Sequence, residues 1–341
     1  MMAQPLAALP VTQPISLLQQ TLTEFGVVIV GSILVSAGAL LYFRRVRMER
    51  PPVGTFNGRD VVILLVFICT LPFLYAIFPN WLITWLLVLT FASSLYIGYR
   101  QLLGTVGVWL AIGLLIGLNI WTSDHMMGTV GGWQLWWSEL TILVSLGAIA
   151  VSNLYVQGGM KLRFVAWLAL GLGAYDLVFA TILPLTDKLV AGYLAHPLDP
   201  LLGMRFGIDN YGLGLGDVLI FSMFLIAAYK AYGRRAAWVA FGLILGVGGV
   251  ITSFVPFLAN FLDTQLDLLV PAQTFFGPAA FLCYLWLRRR YGRERTMAEY
   301  WASLDTATSP AAVPHTEPHP GEARVPAPGP AAEPASEPAS A

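Results

Sequence analysis

The chain has 341 residues, of which 57% are hydrophobic and only 11% carry a charge. About a quarter of the residues of a soluble domain are charged, so this composition excludes an ordinary soluble enzyme and predicts an all-α polytopic membrane protein. The formal net charge is zero, and no acidic or basic field favours nucleic acid as a partner.

Nine apolar runs have the length of about 20 residues that a helix needs to cross ~30 Å of hydrocarbon. They predict nine transmembrane helices, at 24–43, 60–78, 81–99, 102–120, 138–156, 164–185, 212–232, 236–257 and 267–287. The membrane domain is therefore expected to span residues 24–290. Residues 1–23 contain no Lys or Arg, which favours an uncleaved extracytoplasmic segment over a signal peptide. Residues 291–341 are expected to form a cytoplasmic tail, whose Pro-, Ala- and Glu-rich composition predicts disorder from about residue 306.

The basic residues predict how the helices are oriented. With the N-terminus outside, 17 of the 19 Lys and Arg residues fall on the cytoplasmic side, and only Lys188 and Arg205 fall outside. Such a bias follows the positive-inside rule and agrees with an odd number of helices, so the C-terminus is predicted to be cytoplasmic. Arg outnumbers Lys 16 to 3, which favours a prokaryotic cytoplasmic membrane as the location.

Most of the candidate polar and aromatic residues are interpreted as structural. Cys69 and Cys283 lie in apolar runs without metal-ligand spacing, and His125 and His196 have no suitable partners, so neither a metal nor a cofactor is predicted. Asp60, Glu139 and Asp267 lie at the ends of predicted spans, where headgroups hydrate them. Five tryptophans near predicted interfaces are expected to act as membrane anchors: Trp81, Trp85, Trp133, Trp136 and Trp137.

Only Asp176 and Asp217 lie well inside predicted spans. An acidic residue at the centre of a membrane helix costs roughly 2.5–3.5 kcal/mol and is functional by default. At 1.5 Å per residue, Asp217 is expected ~8 Å and Asp176 ~14 Å below the outer surface, on consecutive antiparallel helices. Two carboxylates that share a desolvated site cannot both ionise easily, so one keeps a proton. Such a pair can activate water and protonate a leaving amide nitrogen.

Three alternating glycines, Gly212, Gly214 and Gly216, precede Asp217. Glycine weakens a helix and removes side chains, so the backbone here can approach a second chain. A membrane-spanning substrate must be unwound before it is cut, and its extended strand can find backbone partners at this position.

Three motifs in order resemble those of the presenilin and signal peptide peptidase family of intramembrane aspartyl proteases. Tyr175-Asp176 is similar to its YD motif, Gly214-Leu215-Gly216-Asp217 to GxGD, and Pro271-Ala272 to the start of PAL. The resemblance covers roughly residues 24–290 and implies a presenilin-like bundle with Asp176 and Asp217 as the catalytic pair. It also implies that transmembrane segments of membrane proteins are the substrates, bound near Tyr175, Gly214, Leu215, Gly216, Pro271, Ala272 and Gln273.

This chain departs from the family pattern in two places. Gln273 stands where the family usually has Leu, and it is expected to hydrogen-bond the substrate backbone. The segment 186–211 is short and lacks the long insert of the eukaryotic presenilins, so self-cleavage is not implied. The outside N-terminus resembles the signal peptide peptidase branch, and no feature indicates obligatory partner subunits.

Two alternatives remain open at this point. An ion-coupled transporter could use Asp176 and Asp217 as ion ligands near broken helices, although the two halves of the chain do not correspond as inverted repeats. A prepilin-peptidase-like protease shares the GxGD element, but its cytoplasmic Cys pairs are missing here.

Overall fold

The computed structural model describes residues 17–48, 56–179, 196–198, 203–205, 212–254 and 272–308. Several predictions fall on other parts of the chain. Pro271, Asp267, most of the segments 1–23 and 186–211, and the tail beyond residue 308 lie outside the described residues.

Helices make up nearly all of the described chain. They are α1 (Leu17–Arg45), α2 (Gly58–Ile77), α3 (Asn80–His125), α4 (Val130–Gln157), α5 (Leu162–Leu177), α6 (Leu215–Tyr232), α7 (Arg234–Leu243), a π-helical continuation of α7 (Ile244–Ile251), α8 (Ala272–Tyr291) and α9 (Met297–Thr308). The exception is a short antiparallel ladder of β1 (Met204–Arg205) and β2 (Gly212–Leu213).

Six helical stretches of the described chain are long and apolar enough to cross a membrane. They are Thr21–Arg45, Gly58–Ile77, Asn80–His125, Val130–Gln157, Leu215–Tyr232 and Arg234–Phe254. This is the architecture of a membrane-embedded protein. α5 has 16 residues and α8 ends in three consecutive arginines, and neither belongs to this set.

The 46-residue helix α3 is interrupted at Gly104, whose φ of 70° and ψ of 173° are not helical. The Tyr96 and Trp109 rings, one on each side of Gly104, have centroids 5.3 Å apart. In an unbroken helix their Cα atoms would be ~20 Å apart, so the chain bends sharply here. Glycine adopts this positive φ without the steric cost that a side chain would add. Gly104 lies just inside the predicted span 102–120, a few residues after the predicted end of span 81–99.

Helix α6 lies at the centre of the described bundle. It packs against α1, α4, α5, α7 and α8, and its middle residues are almost completely buried. The Phe276 ring of α8 meets Phe221 and Phe224 of α6, at centroid distances of 4.6 and 5.8 Å. Helix α2, by contrast, exposes apolar side chains such as Val62, Val66 and Phe67.

The prediction that Trp136 and Trp137 anchor at a lipid interface was wrong. Trp136 is completely buried, Trp137 is nearly so, and their rings are 4.6 Å apart. The predicted span began at residue 138, whereas α4 begins at Val130, so both rings lie within the helix and pack inside the protein. Trp81 and Trp85, near the start of α3, are exposed.

Candidate active site

Asp217 lies in the first turn of α6, at the point where the chain enters the helix. The backbone N–H of Gly214 donates a hydrogen bond of 3.2 Å to Asp217 Oδ2. The carboxylate thus satisfies one of the amide groups that a helix N-terminus leaves unpaired, and the helix dipole favours negative charge there. Asp217 as a whole residue is half-buried.

The absence of a side chain at Gly214 leaves room for this close approach. A Cβ atom built on Gly214 would lie 3.1 Å from Asp217 Oδ2, a separation that crowds the carboxylate. Gly216 is different, because a Cβ atom there would meet nothing within 4 Å and the residue is exposed. The two glycines of the motif therefore do different things: Gly214 seats the carboxylate and Gly216 leaves open space beside it.

Asp176 lies in the last turn of α5, which packs against α6. Its carboxyl group is close enough to that of Asp217 for the two to interact electrostatically. Asp176 is also half-buried. Asp176 and Asp217, about 40 residues apart in sequence, thus lie at the ends of two helices that pack against each other.

Gln273, in the first turn of α8, completes this cluster. Its side chain is 2% exposed, and its amide lies beside the Asp217 carboxyl group. Neither the amide nitrogen nor the amide oxygen has a hydrogen-bond partner of good geometry among the described residues. The neighbouring Thr274 hydroxyl is also buried and without a partner there. Unsatisfied buried polar groups cost about 1–3 kcal/mol each and are uncommon unless a ligand or water serves them.

Close backbone packing of α5 on α8 holds Gln273 in this position. A Cβ atom on Gly173 would lie 2.5 Å from the Gln273 carbonyl oxygen, and one on Gly277 would lie 2.4 Å from the Ala169 carbonyl oxygen. Small residues let helices approach closely where lipid provides no hydrophobic drive for their association. Gly173 is three residues before Asp176, so the contact of Gly173 with Gln273 fixes the positions of Gln273 and Asp176 relative to each other.

Tyr175 lies toward helix α2. Its ring is 4.4 Å from that of Phe179, and its hydroxyl is near Cys69 and Tyr75 of α2. Of the other residues predicted to bind substrate, Leu215 is half-buried at the start of α6 and Ala272 is buried at the start of α8. Pro271 lies outside the described residues.

The β1–β2 ladder comes immediately before α6. Met204 pairs with Leu213 and Arg205 with Gly212, so the chain is already extended as it reaches the GxGD motif. Strand β1 packs against α4, where Ser145 Oγ lies 3.6 Å from Met204 Sδ. Extended backbone therefore lies a few residues from Asp217.

Glu139 is a buried polar residue whose environment the sequence did not predict. It is 6% exposed, and it accepts hydrogen bonds from Thr122 Oγ1 at 2.9 Å and Asn119 Nδ2 at 3.5 Å. Asn119 Oδ1 in turn accepts from the backbone N–H of Leu198 at 2.8 Å. The expectation that headgroups hydrate Glu139 was wrong, because α4 begins nine residues before it. The spacing of Asn119 and Thr122, one turn apart on an apolar helix, was the available signal.

Within the described ranges, no group of three or more His, Cys, Asp or Glu side chains could hold a metal ion.

Comparisons with protein-family models, with curated proteins and with solved structures find no match for the chain.

Proposed function

We propose that this protein is an intramembrane aspartyl protease that hydrolyses peptide bonds within or near transmembrane segments of membrane-protein substrates. The observation that supports this proposal is that α5 and α6 pack against each other and carry carboxyl groups close enough to interact electrostatically. The order of the three sequence motifs, which resembles the presenilin and signal peptide peptidase family, supports it independently. The protein would be its own catalyst, with no cofactor and no obligatory subunit.

In the proposed reaction the two carboxyl groups share one proton. The ionised carboxylate removes a proton from a bound water molecule, and the water oxygen attacks the carbonyl carbon of the substrate. The protonated carboxyl group donates to the carbonyl oxygen, which gives a neutral tetrahedral gem-diol. A proton then passes to the amide nitrogen, the C–N bond breaks, and a carboxylic acid and an amine leave. Like charges held close together keep the shared proton available.

The substrate would bind in extended form. The β1–β2 ladder and the open space at Gly216 favour a substrate strand that runs beside the GxGD motif, with its backbone paired to the protein. The unpaired amide of Gln273 offers one donor and one acceptor to the same strand. Leu215, Ala272 and Pro271 would line the site, and Tyr175 would border it on the side of α2.

The proposal includes a nine-span topology with the N-terminus outside and the C-terminus in the cytoplasm. Helices α5 and α8 would cross the membrane together with the six apolar stretches, and the bend at Gly104 would divide α3 into two spans. The charge distribution favours this orientation, and a prokaryotic cytoplasmic membrane is the proposed location.

The test is reconstitution of the purified protein in lipid vesicles with a single-span substrate. Wild type should cut the substrate with a bell-shaped pH dependence, since one carboxyl group must be protonated and the other ionised. Asp176→Asn and Asp217→Asn should each abolish cleavage while the protein remains folded. Asp305→Asn, at an exposed position in α9, is the matched control and should cleave like wild type.

Full activity in either active-site variant would show that the mechanism is wrong. The transporter alternative makes a separate prediction in sealed vesicles. It requires ion-dependent uptake that both Asn variants lose, and no cleavage of any peptide by wild type.

A further inference from the structure

The segment between α8 and α9 contacts the ends of α5 and α6 that lie far from the aspartates. We call residues 292–296 the clasp. Two of its consecutive residues, Glu294 and Arg295, each hold one of the two helices that carry the aspartates. The clasp therefore bridges the helices of the candidate active site from a distance.

Glu294 caps the N-terminus of α5. Its two carboxylate oxygens accept hydrogen bonds from the backbone N–H groups of Leu162, at 2.8 Å, and Arg163, at 3.1 Å. These amides belong to the first turn of α5, which has no intrahelical partners for them, and Lys161 at the N-cap position makes no side-chain cap. The cap thus comes from a residue more than 130 positions away in sequence.

Arg295 holds the C-terminus of α6. Its backbone N–H and its Nε both donate to the carbonyl oxygen of Ala231 at 3.3 Å, and its Nη2 donates to that of Tyr229 at 3.3 Å. These carbonyl groups lie in the last turn of the helix, where a cation is also favoured by the helix dipole.

The two attachment points lie at equal distances from the two aspartates. Leu162 is 14 residues before Asp176 along α5, and Ala231 is 14 residues after Asp217 along α6. At 1.5 Å per residue both separations are ~21 Å. Adjacent residues of the clasp hold these two points at similar positions along the bundle axis. Because the helices are rigid and the separations are equal, the two carboxyl groups also lie at similar positions along that axis.

Other contacts keep the same end of the bundle together. Lys230, which is completely buried, donates from Nζ to the Met160 carbonyl oxygen just before α5. The Tyr232 hydroxyl donates to the Gly292 carbonyl oxygen at 3.2 Å. Beyond the clasp, the buried Tyr300 ring lies 5.1 Å from that of Phe43 in α1.

We infer that Glu294 and Arg295 are positioning residues, which set the relative height of Asp176 and Asp217 by holding α5 and α6 in register. This inference rests on the proposed protease function. A slip by one residue would move one carboxyl group ~1.5 Å along the helix axis. A misplacement of about 1 Å at a catalytic group can cost about 100-fold in rate.

The kinetic test compares Glu294→Ala and Arg295→Ala with wild type in the reconstituted cleavage assay. We expect kcat to fall between about 10- and 100-fold with KM nearly unchanged, because the reacting groups are displaced and the substrate strand is not. Glu294→Gln, which keeps one of the two acceptor oxygens of the α5 cap, should recover part of the activity. Arg293→Ala is the matched control and should leave kcat unchanged, since the ion pair that Arg293 forms among the described residues is with Glu299 of α9. In the Ala variants the two apparent pKa values of the bell-shaped pH profile of cleavage should also lie closer together. The reason is that carboxyl groups that are further apart influence each other's ionisation less.

A structural measurement tests the inference without cleavage. In a Cys69→Ala, Cys283→Ala background, the substitutions Asp176→Cys and Asp217→Cys introduce two thiol groups, which a short bifunctional thiol reagent joins. Glu294→Ala should slow this cross-linking several-fold, and Arg293→Ala should not. Equal cross-linking in the two variants would overturn the inference, even if kcat differed. If wild type cuts no substrate, the protease proposal fails while the cross-linking result still decides whether the clasp sets the register.

Discussion

The contact between Gly173 and Gln273 provides a stringent test of both the fold and the site. Substitution of Gly173 by Ala places a Cβ atom 2.5 Å from the Gln273 carbonyl oxygen, whereas ordinary contact begins at 3.4 Å. The obstructing atom belongs to backbone, so a side-chain rotation cannot relieve the clash. Helices α5 and α8 must separate locally by about 0.9 Å.

The expected energies follow from two opposing effects. Overpacking of a tight contact costs about 1–3 kcal/mol, whereas Ala in place of Gly in a helix interior gains up to about 1 kcal/mol. The net loss for Gly173→Ala is therefore between about zero and 3 kcal/mol in the free energy of unfolding. The displacement also moves Gln273 relative to Asp176, which lies one turn further along α5, so kcat should fall about 10- to 100-fold.

Gly171→Ala is the control, on the same helix two residues earlier. Its new Cβ atom would lie 2.7 Å from Leu65 Cδ1, the end of a flexible side chain that can move aside. This variant should keep wild-type cleavage and be neutral or slightly more stable. The measurements are reversible unfolding in mixed micelles and cleavage in vesicles. If the two variants lose the same stability and the same activity, the close approach of α5 and α8 does not position the site.

Three further predictions concern other parts of the molecule. Gln273→Leu should lower kcat/KM for cleavage, because it removes the amide that lies beside the Asp217 carboxyl group; unchanged cleavage would remove Gln273 from the substrate site. Glu139→Ala should lower the free energy of unfolding by about 1–3 kcal/mol, because the donors of Thr122 and Asn119 lose their acceptor, and Glu139→Gln should lose less; equal stability of wild type and both variants would contradict the buried network. A reporter enzyme fused to the C-terminus should be active on the cytoplasmic side only, and activity on the outer side would contradict the proposed orientation.

Local sequence carries much of what is needed to find the helices and the two aspartates. An apolar run of about 20 residues is constrained by the thickness of the hydrocarbon layer, and six such stretches are present in the described chain. Asp176 and Asp217 were identifiable because a carboxylate in an apolar run is costly. The glycines before Asp217 also pointed to an irregular backbone, and an extended ladder immediately precedes α6.

The predicted boundaries failed where polar residues continue into a helix. The helix α4 includes Gln134 and Ser138 in its first turns, so hydropathy alone placed its start eight residues too late. As a result Glu139, Trp136 and Trp137 were all assigned to the membrane interface. Tertiary partners decide the environment of all three, because Asn119 and Thr122 of α3 supply the hydrogen bonds that make burial of Glu139 affordable.

The sequence by itself determined the membrane class, the positions of the two aspartates and the direction of the charge bias. Only the tertiary structure decided which helix faces meet, that Gly173 lies against the Gln273 backbone, and that Glu294 and Arg295 cap α5 and α6. In water, an apolar stripe reveals the face of a helix that packs inward. In a bilayer the lipid-facing side of a helix is as apolar as the side that packs against protein. The hydrophobic pattern along one helix therefore does not specify its rotation, its depth or its partner helix. Contacts between residues far apart in sequence set all three.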